Sequence, residues 1–201
     1  MPYLVFDTET TGLPDWQAPA DAEHQPRLAS IAMLLVDDDF EIEERIYSLI
    51  RPVEWEMAAG CEASIVNGLT QERLLAEGRP IEEILDAMDV AIMAGRTLVA
   101  HNLQFDSKIM RGELRRAGYT VDCQHGICTM RRLRDVCAIP APRGNGFKFP
   151  RLGEACNALL KRPLLGAHNA LADAKACLWL LRWMGAHDMV TAPEKLLAGV
   201  T

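Results

Sequence analysis

The chain has 201 residues, 49% hydrophobic and 24% charged, which is enough for one good-sized core and ordinary for a soluble globular domain. No apolar run approaches the ~20 residues needed to cross a bilayer, and the N-terminus lacks a basic region followed by an apolar signal segment, so a cytoplasmic protein is expected. The net charge of −7 argues against a protein that grips a long duplex through its backbone.

Charge is unevenly distributed. From Lys108 to Arg162 twelve Lys or Arg face four Asp or Glu, a local excess of +8 that leaves −15 for the remainder. That region is basic enough to hold phosphate, although each of Arg111, Arg115, Arg131 and Arg134 taken singly reads more simply as an exposed helix residue. Six cysteines without a Cys-x2-Cys pair point to reduced thiols. Cys123, His125 and Cys128 fall short of the four ligands of a structural zinc site.

In chain order, an apolar run predicts a strand over residues 3–8, closed by the turn signal Thr11-Gly12. Strands follow at 29–36 and 43–50, with Asp37, Asp38 and Asp39 as the hairpin turn between them. Ile81, Ile84, Leu85, Met88 and Ile92 recur at helical spacing. A short strand over 97–100 delivers the chain to His101. A helix then opens with Asn102 as N-cap and Phe105, Ile109, Met110, Leu114 and Ala117 as its apolar face, while Lys108, Arg111, Glu113 and Arg115 are assigned to solvent.

Gly118 reads as the stop of that helix, and residues 126–129 as a last short strand. Pro140, Pro142, Gly144, Gly146 and Pro150 mark residues 138–150 as a flexible loop. In the closing helix Asp173 shares a stripe with Cys177, Leu180 and Met184. Residues after Gly185 are weakly patterned. Together these elements predict an α/β protein with a central mixed β-sheet flanked by helices, a single domain over 1–185 and a tail or short terminal helix over 186–201.

Three short segments place acids where a core is expected. Asp7 and Glu9, two apart on a strand, point to one face at its carboxyl end. Asp106 falls on the apolar face of its helix, and so does Asp173. Crowded carboxylates repel and bind protons unless a cation sits between them. His168 precedes the last helix in a loop, with Asn169 near the cap, and can swing toward Asp173. Any one of these acids alone is more simply a solvated turn or a helix-dipole partner. Three separate segments that all turn acids inward are not.

Residues Phe6 to Gly12 (Phe-Asp-Thr-Glu-Thr-Thr-Gly), His101-Asn-x-x-Phe-Asp106 and His168-x4-Asp173 resemble the three motifs of the DEDDh 3′–5′ exonucleases, over about residues 3–184. The segments 64–70, 128–130 and 147–152 are similar to further segments of that family, with Asn67 standing where a His is usual. The resemblance implies a ribonuclease H-like fold and a 3′–5′ exonuclease that releases nucleoside 5′-monophosphates from a nucleic acid 3′ end, with DNA preferred to RNA and a DNA polymerase as a partner. It implies two divalent cations, Mg2+ or Mn2+, held by Asp7, Glu9, Asp106 and Asp173, and His168 as general base. The terminal nucleotide is expected against Thr10, Leu13, Val66, Asn67, His101 and Phe105.

Backbone groups after Glu9, at Thr10 and Thr11, suit the 3′-hydroxyl, while Lys148 and Arg151 suit phosphate. Hard divalent ions take oxygen ligands, as this acid set provides. Two other readings compete: an RNA 3′-end trimming exonuclease with the same site, and a non-catalytic nucleic-acid-binding or polymerase-associated module. The first differs only at the sugar 2′-position. All four acids and the histidine are present, which speaks against the second.

Overall fold

The computed structural model describes residues 2–120, 123 and 125–195. Three strands, β1 (Tyr3–Thr10), β2 (Leu28–Val36) and β3 (Ile42–Leu49), form an antiparallel meander. Asp37 Oδ1 closes the β2–β3 turn by accepting from the backbone N–H groups of Asp39 and Glu41 at 3.0 and 2.7 Å. The helices α1 (Glu62–Asn67), α2 (Gln71–Glu77) and α3 (Glu82–Met93) then lead to β4 (Thr97–Ala100), which runs parallel to β1.

Helix α4 (Leu103–Arg116) returns the chain to β5 (His125–Cys128), parallel to β4. Two one-turn helices, α5 (Thr129–Arg132) and α6 (Arg134–Cys137), precede the Pro/Gly-rich loop. Helix α7 (Leu152–Ala155) passes into a π-helical turn, and α8 (Ala170–Ala186) closes the fold. The sheet order is β3-β2-β1-β4-β5-β6, so the meander and the parallel crossovers share one mixed sheet. That is the expected ribonuclease H-like α/β architecture.

Alternation along β1 assigns its two faces. Leu4 and Phe6 join the core shared with α3 and α4, and Tyr3 and Val5 join the core shared with α8. Leu178, Leu180 and Leu181 on α8 are fully buried, at roughly 1.5–3 kcal/mol each from burial. The stripe expected for α8 is observed, with Asp173, Cys177, Leu180 and Met184 all buried.

Three expectations need correction. Residues 187–195 form no helix; Glu194–Lys195 is instead β6, an edge strand antiparallel to β5, so β5 is not the last strand. Arg132 holds this return by donating to Glu194, Thr191 and Ala192. Residues 196–201 of the expected tail lie outside the described residues.

Asn102 occupies the cap position of α4 but makes no side-chain cap bond, because its backbone is left-handed (φ 82°). Lys108, Arg111 and Glu113 are buried rather than solvated, with only Arg115 of the four exposed. Residues 11–27 lie across that side of α4. Lys108 Nζ donates to Ala18 O (2.8 Å), a guanidinium nitrogen of Arg116 donates to Ala22 O (3.0 Å), and Glu113 accepts from Arg27 and from Leu28 N–H. Gly112 permits the approach, since a Cβ there would stand 2.3 Å from Ala20 O. Much of the positive charge counted after Lys108 is therefore structural.

Candidate active site

The site forms where β1 outruns its neighbour. β4 pairs with β1 only from Tyr3 to Val5, and beyond Val5 the edge of β1 opens into a cleft at the carboxyl ends of the parallel strands, the usual ligand position in such sheets. Asp7 and Glu9 continue the row of Tyr3 and Val5, so they face the α8 layer. Asp173, in the first turn of α8 and 8% exposed, meets them there.

Asp106 arrives from the opposite layer. It is 3% exposed, and its Oδ1 accepts from both the backbone N–H (3.0 Å) and the hydroxyl (2.8 Å) of Thr8. Thr8, lying between the two β1 acids, points to the α4 face and ties Asp106 to the strand. This role was not foreseen, although a short hydroxyl side chain between Asp7 and Glu9 is its trace in the sequence.

All four carboxyls are harder to ionise than usual. Burial pushes Asp7 well up, reinforced by Asp106, Asp173 and Glu9. Glu9 is raised to about 7 by burial and then by Asp173 and Asp106. Asp106 is raised to about 7 by burial, against the two Thr8 hydrogen bonds that favour its anion. Burial raises Asp173 as well, against the His168 contacts. Asp173 Oδ2 accepts from His168 N–H (2.9 Å), whereas its Oδ1 is buried with no hydrogen-bond partner.

The exposed His168 has left-handed backbone (φ 65°), which turns its ring back over the start of α8. Donor atoms of Glu9, His168 and Asp173 lie within 4.8 Å of one another. Asp7 and Asp106 line the same cleft, whose volume is about 530 Å³.

Most of the other expected residues converge there. Thr10, Leu13, Val66, Asn67, His101 and Phe105 line the cleft. Leu13 is 82% exposed at its mouth, carried by the 11–27 segment that α4 anchors. Asn67 donates to Thr10 O (3.2 Å) and accepts from Leu69 N–H (3.0 Å), so its amide fastens α1 to β1.

His101 is buried, with Nδ1 2.9 Å from the Thr129 hydroxyl and Nε2 3.0 Å from Pro150 O. A carbonyl only accepts, so Nε2 carries the proton and Nδ1 accepts from Thr129. Burial lowers its pKa to about 4, keeping the ring neutral. Both nitrogens are engaged, and a ligand meets only the ring face.

Thr11 and Lys148 are not among the cleft-lining residues. Thr11 extends the β1–β2 pairing through Arg27, with its hydroxyl accepting from Arg27 N–H. Lys148 is drawn away by Glu154 at 2.5 Å. Arg151 does line the cleft, as do Met130 and Phe149, which lie in segments noted for their family resemblance but were given no role in the site. Cys123 and Cys128 are buried and His125 is exposed; among the described residues they form no group of metal-binding spacing.

The RNase_T family model, whose description is exonuclease, matches residues 4–181. The chain belongs to the exonuclease family. This bears out the resemblance to the DEDDh 3′–5′ exonucleases and the expected enzyme class. The DNA polymerase III epsilon subunit of Treponema pallidum (strain Nichols) is 27% identical over 191 residues, 92% of this chain and 77% of that protein.

Among solved structures, exonuclease I superposes with TM-score 0.71 at 20% identity, over 92% of this exonuclease and 41% of that chain. Exonuclease I of Methylocaldum szegediense gives 0.67 at 21% identity, over 92% and 40%. These likenesses establish the fold. The chain spans about two fifths of the length of the exonuclease I proteins it matches. Among the described residues no helix is long and apolar enough to cross a membrane.

The donor set fits hard divalent cations. It is four carboxylates and one imidazole without a thiolate, and the partnerless, buried Oδ1 of Asp173 is the kind of lone pair that a cation satisfies.

Proposed function

We propose that this exonuclease hydrolyses the 3′-terminal phosphodiester of single-stranded or frayed DNA and releases nucleoside 5′-monophosphates, with Asp7, Glu9, Asp106 and Asp173 holding two divalent cations. The observation that carries the reading is a cluster of four acids on the floor of one cleft, in which burial raises every carboxyl and repulsion from neighbouring acids adds to it at Asp7, Glu9 and Asp106. Such a cluster is costly unless cations neutralise it. When bound, two cations polarise the phosphoryl group and stabilise the attacking and leaving oxygens.

The chain's own residues do the rest. His168, exposed beside Glu9 and Asp173, takes the proton of the attacking water as general base. Leu13 and Phe105 offer apolar surface to the terminal base and sugar, and Val66 adds to the same apolar lining. Thr10 and its backbone neighbours face the 3′-hydroxyl. DNA is favoured over RNA because exonuclease I of E. coli has been solved with dT13 and dA16 strands. A metal is favoured also by its zinc-bound form, and Mg2+ or Mn2+ by the all-oxygen acid floor. A DNA polymerase is the proposed partner, on the ground that the Treponema pallidum relative is a polymerase III subunit.

The test is digestion of matched 3′-labelled DNA and RNA single strands with Mg2+ or Mn2+. Metal-dependent release of mononucleotides from the DNA 3′ end supports the reading. Cleavage of RNA alone transfers the site to RNA trimming, and no release from either refutes the catalytic reading. His168→Ala is expected to slow turnover while leaving DNA affinity nearly intact; equal loss of both assigns His168 to binding.

A further inference from the structure

We infer that the rim of the cleft built by Phe149, Arg134 and Arg151 seats the second and third nucleotides of a single DNA strand whose 3′ end lies over the acids. This rests on the reading of the acid floor given above, and adds the path by which the strand leaves it.

The two rims differ in chemistry. On the α1 side the cleft is bordered by Glu62, Val66 and the projecting Leu13. That side offers apolar surface and a negative charge, which suits one base and repels further phosphates. On the opposite side Phe149, Pro150 and Arg151 line the cleft. The Phe149 side chain is large and apolar, yet 49% exposed, so one ring face is open next to the cavity.

Its orientation is supported from behind. The Arg134 guanidinium lies 5.3 Å from the Phe149 ring centroid, and Arg134 Nε donates to Phe147 O at 2.8 Å. Asp135 is 3.8 Å from the same Nε and partly neutralises it. Among the described residues, the two terminal nitrogens of Arg134 make no hydrogen bond to protein. Phe147, two residues before Phe149, is 39% exposed. The backbone beneath is pinned by the His101 bond to Pro150 O and by Lys148 N–H to Ile139 O (3.0 Å).

An exposed aromatic face stacked on one arginine and flanked by another is the chemistry that holds single-stranded bases and their phosphates without regard to sequence. A duplex does not present its base faces for such stacking. The rim therefore selects a strand of at least two or three unpaired nucleotides. Lys148, held by Glu154, is not a member of it.

The test compares two substrates in Mn2+: the p-nitrophenyl ester of thymidine 5′-monophosphate, which fills the terminal position and carries only its nitrophenyl leaving group beyond the scissile phosphate, and trithymidylate, which carries two further nucleotides to the rim. The readout is the ratio of kcat/KM for the trinucleotide to that for the ester. In Phe149→Ala this ratio is expected to fall roughly tenfold, the worth of one base–aromatic stack, through KM rather than kcat. Phe149→Trp restores it, and Arg134→Gln lowers it and flattens its salt dependence.

Thermal unfolding of each variant checks that the half-exposed position tolerates the change. An unchanged ratio in Phe149→Ala and Arg134→Gln overturns the inference while leaving the acid site intact. A parent protein that cleaves neither substrate removes both the inference and the reading beneath it.

Discussion

Buried charge occurs in two regions of this molecule, and they are built on opposite rules. Where residues 11–27 cross α4, Glu113 accepts from Arg27 on both oxygens and from Leu28 N–H, Lys108 donates to Ala18 O, and Gln25 bonds Asp15 and Pro19. On the floor of the cleft, Asp7, Glu9, Asp106 and Asp173 crowd one another, and Oδ1 of Asp173 is buried with no hydrogen-bond partner. The first arrangement holds a segment in place. The second costs stability in the folded chain, which is the mark of a site completed by something the chain does not itself supply.

Several substitutions can break or sharpen this contrast. The largest effect is expected at Asp7. Asp7→Asn removes one acid from the floor and should lower metal-dependent turnover by at least about a thousandfold, as the loss of an electrostatic element at the reacting phosphate does. The same variant should melt higher than the parent in the absence of metal, since repulsion is relieved. A variant that is inactive and also less stable would indicate a structural carboxylate instead.

Next in size is Glu113→Ala on the complemented side. It leaves Arg27 and Arg116 without their shared partner and should cost on the order of 3–5 kcal/mol in urea unfolding. A change within experimental error would mean that the loop is held by other contacts.

The pH dependence of the metal-free protein follows in magnitude. Glu9 and Asp106 titrate near 7 when folded, above their unfolded values. Their contribution is therefore most favourable below about pH 4 and is lost as pH rises toward 7, on the order of 2–4 kcal/mol for the buried Asp106. Saturating Mn2+ should abolish this loss. His101 works in the other direction. With its folded pKa lowered to about 4, its contribution is full above about 6.5 and is lost as pH falls through 4. Urea midpoints across pH 4 to 8, with and without Mn2+, check both; a metal-free profile that is flat from pH 4 to 7 in both the parent and Asp7→Asn would contradict the first.

The smallest effect is at Gly112. Gly112→Ala improves helix propensity by about 1 kcal/mol, yet it drives a methyl into Ala20 O. The net change is expected to be modestly destabilising, with a raised KM because Leu13 rides on the displaced segment. Lower stability with KM unchanged would separate Leu13 from the anchor.

The sequence made the acid floor legible because a carboxylate on an apolar stripe is anomalous at any single position, and three segments repeated the anomaly. Strand and helix positions followed from the same periodicities, as at Ile84, Leu85 and Met88 of α3. What was not legible depends on covering by distant chain. Lys108, Arg111 and Glu113 carry no local sign that residues 11–27 will bury them, and Gly112 gives that sign only after Ala20 is known to pass over it.

Lys148 and Thr11 looked suited to a ligand by type, but Glu154 and Arg27 engage them. Phe149 lies in a segment, 147–152, that was noticed for its family resemblance, but there the expected contacts were given to Lys148 and Arg151. The return of Glu194–Lys195 to β5 rests on Arg132, sixty residues away, and nothing in the tail itself announces it.

The central claim is that four acids from three segments form one cation site, and calorimetric titration of the protein with Mn2+ tests it most directly. Tight binding by the parent that is strongly weakened in each of Asp7→Asn, Asp106→Asn and Asp173→Asn is the predicted result. Mn2+ binding that survives all three substitutions unchanged, or no binding by a folded parent, would contradict the account.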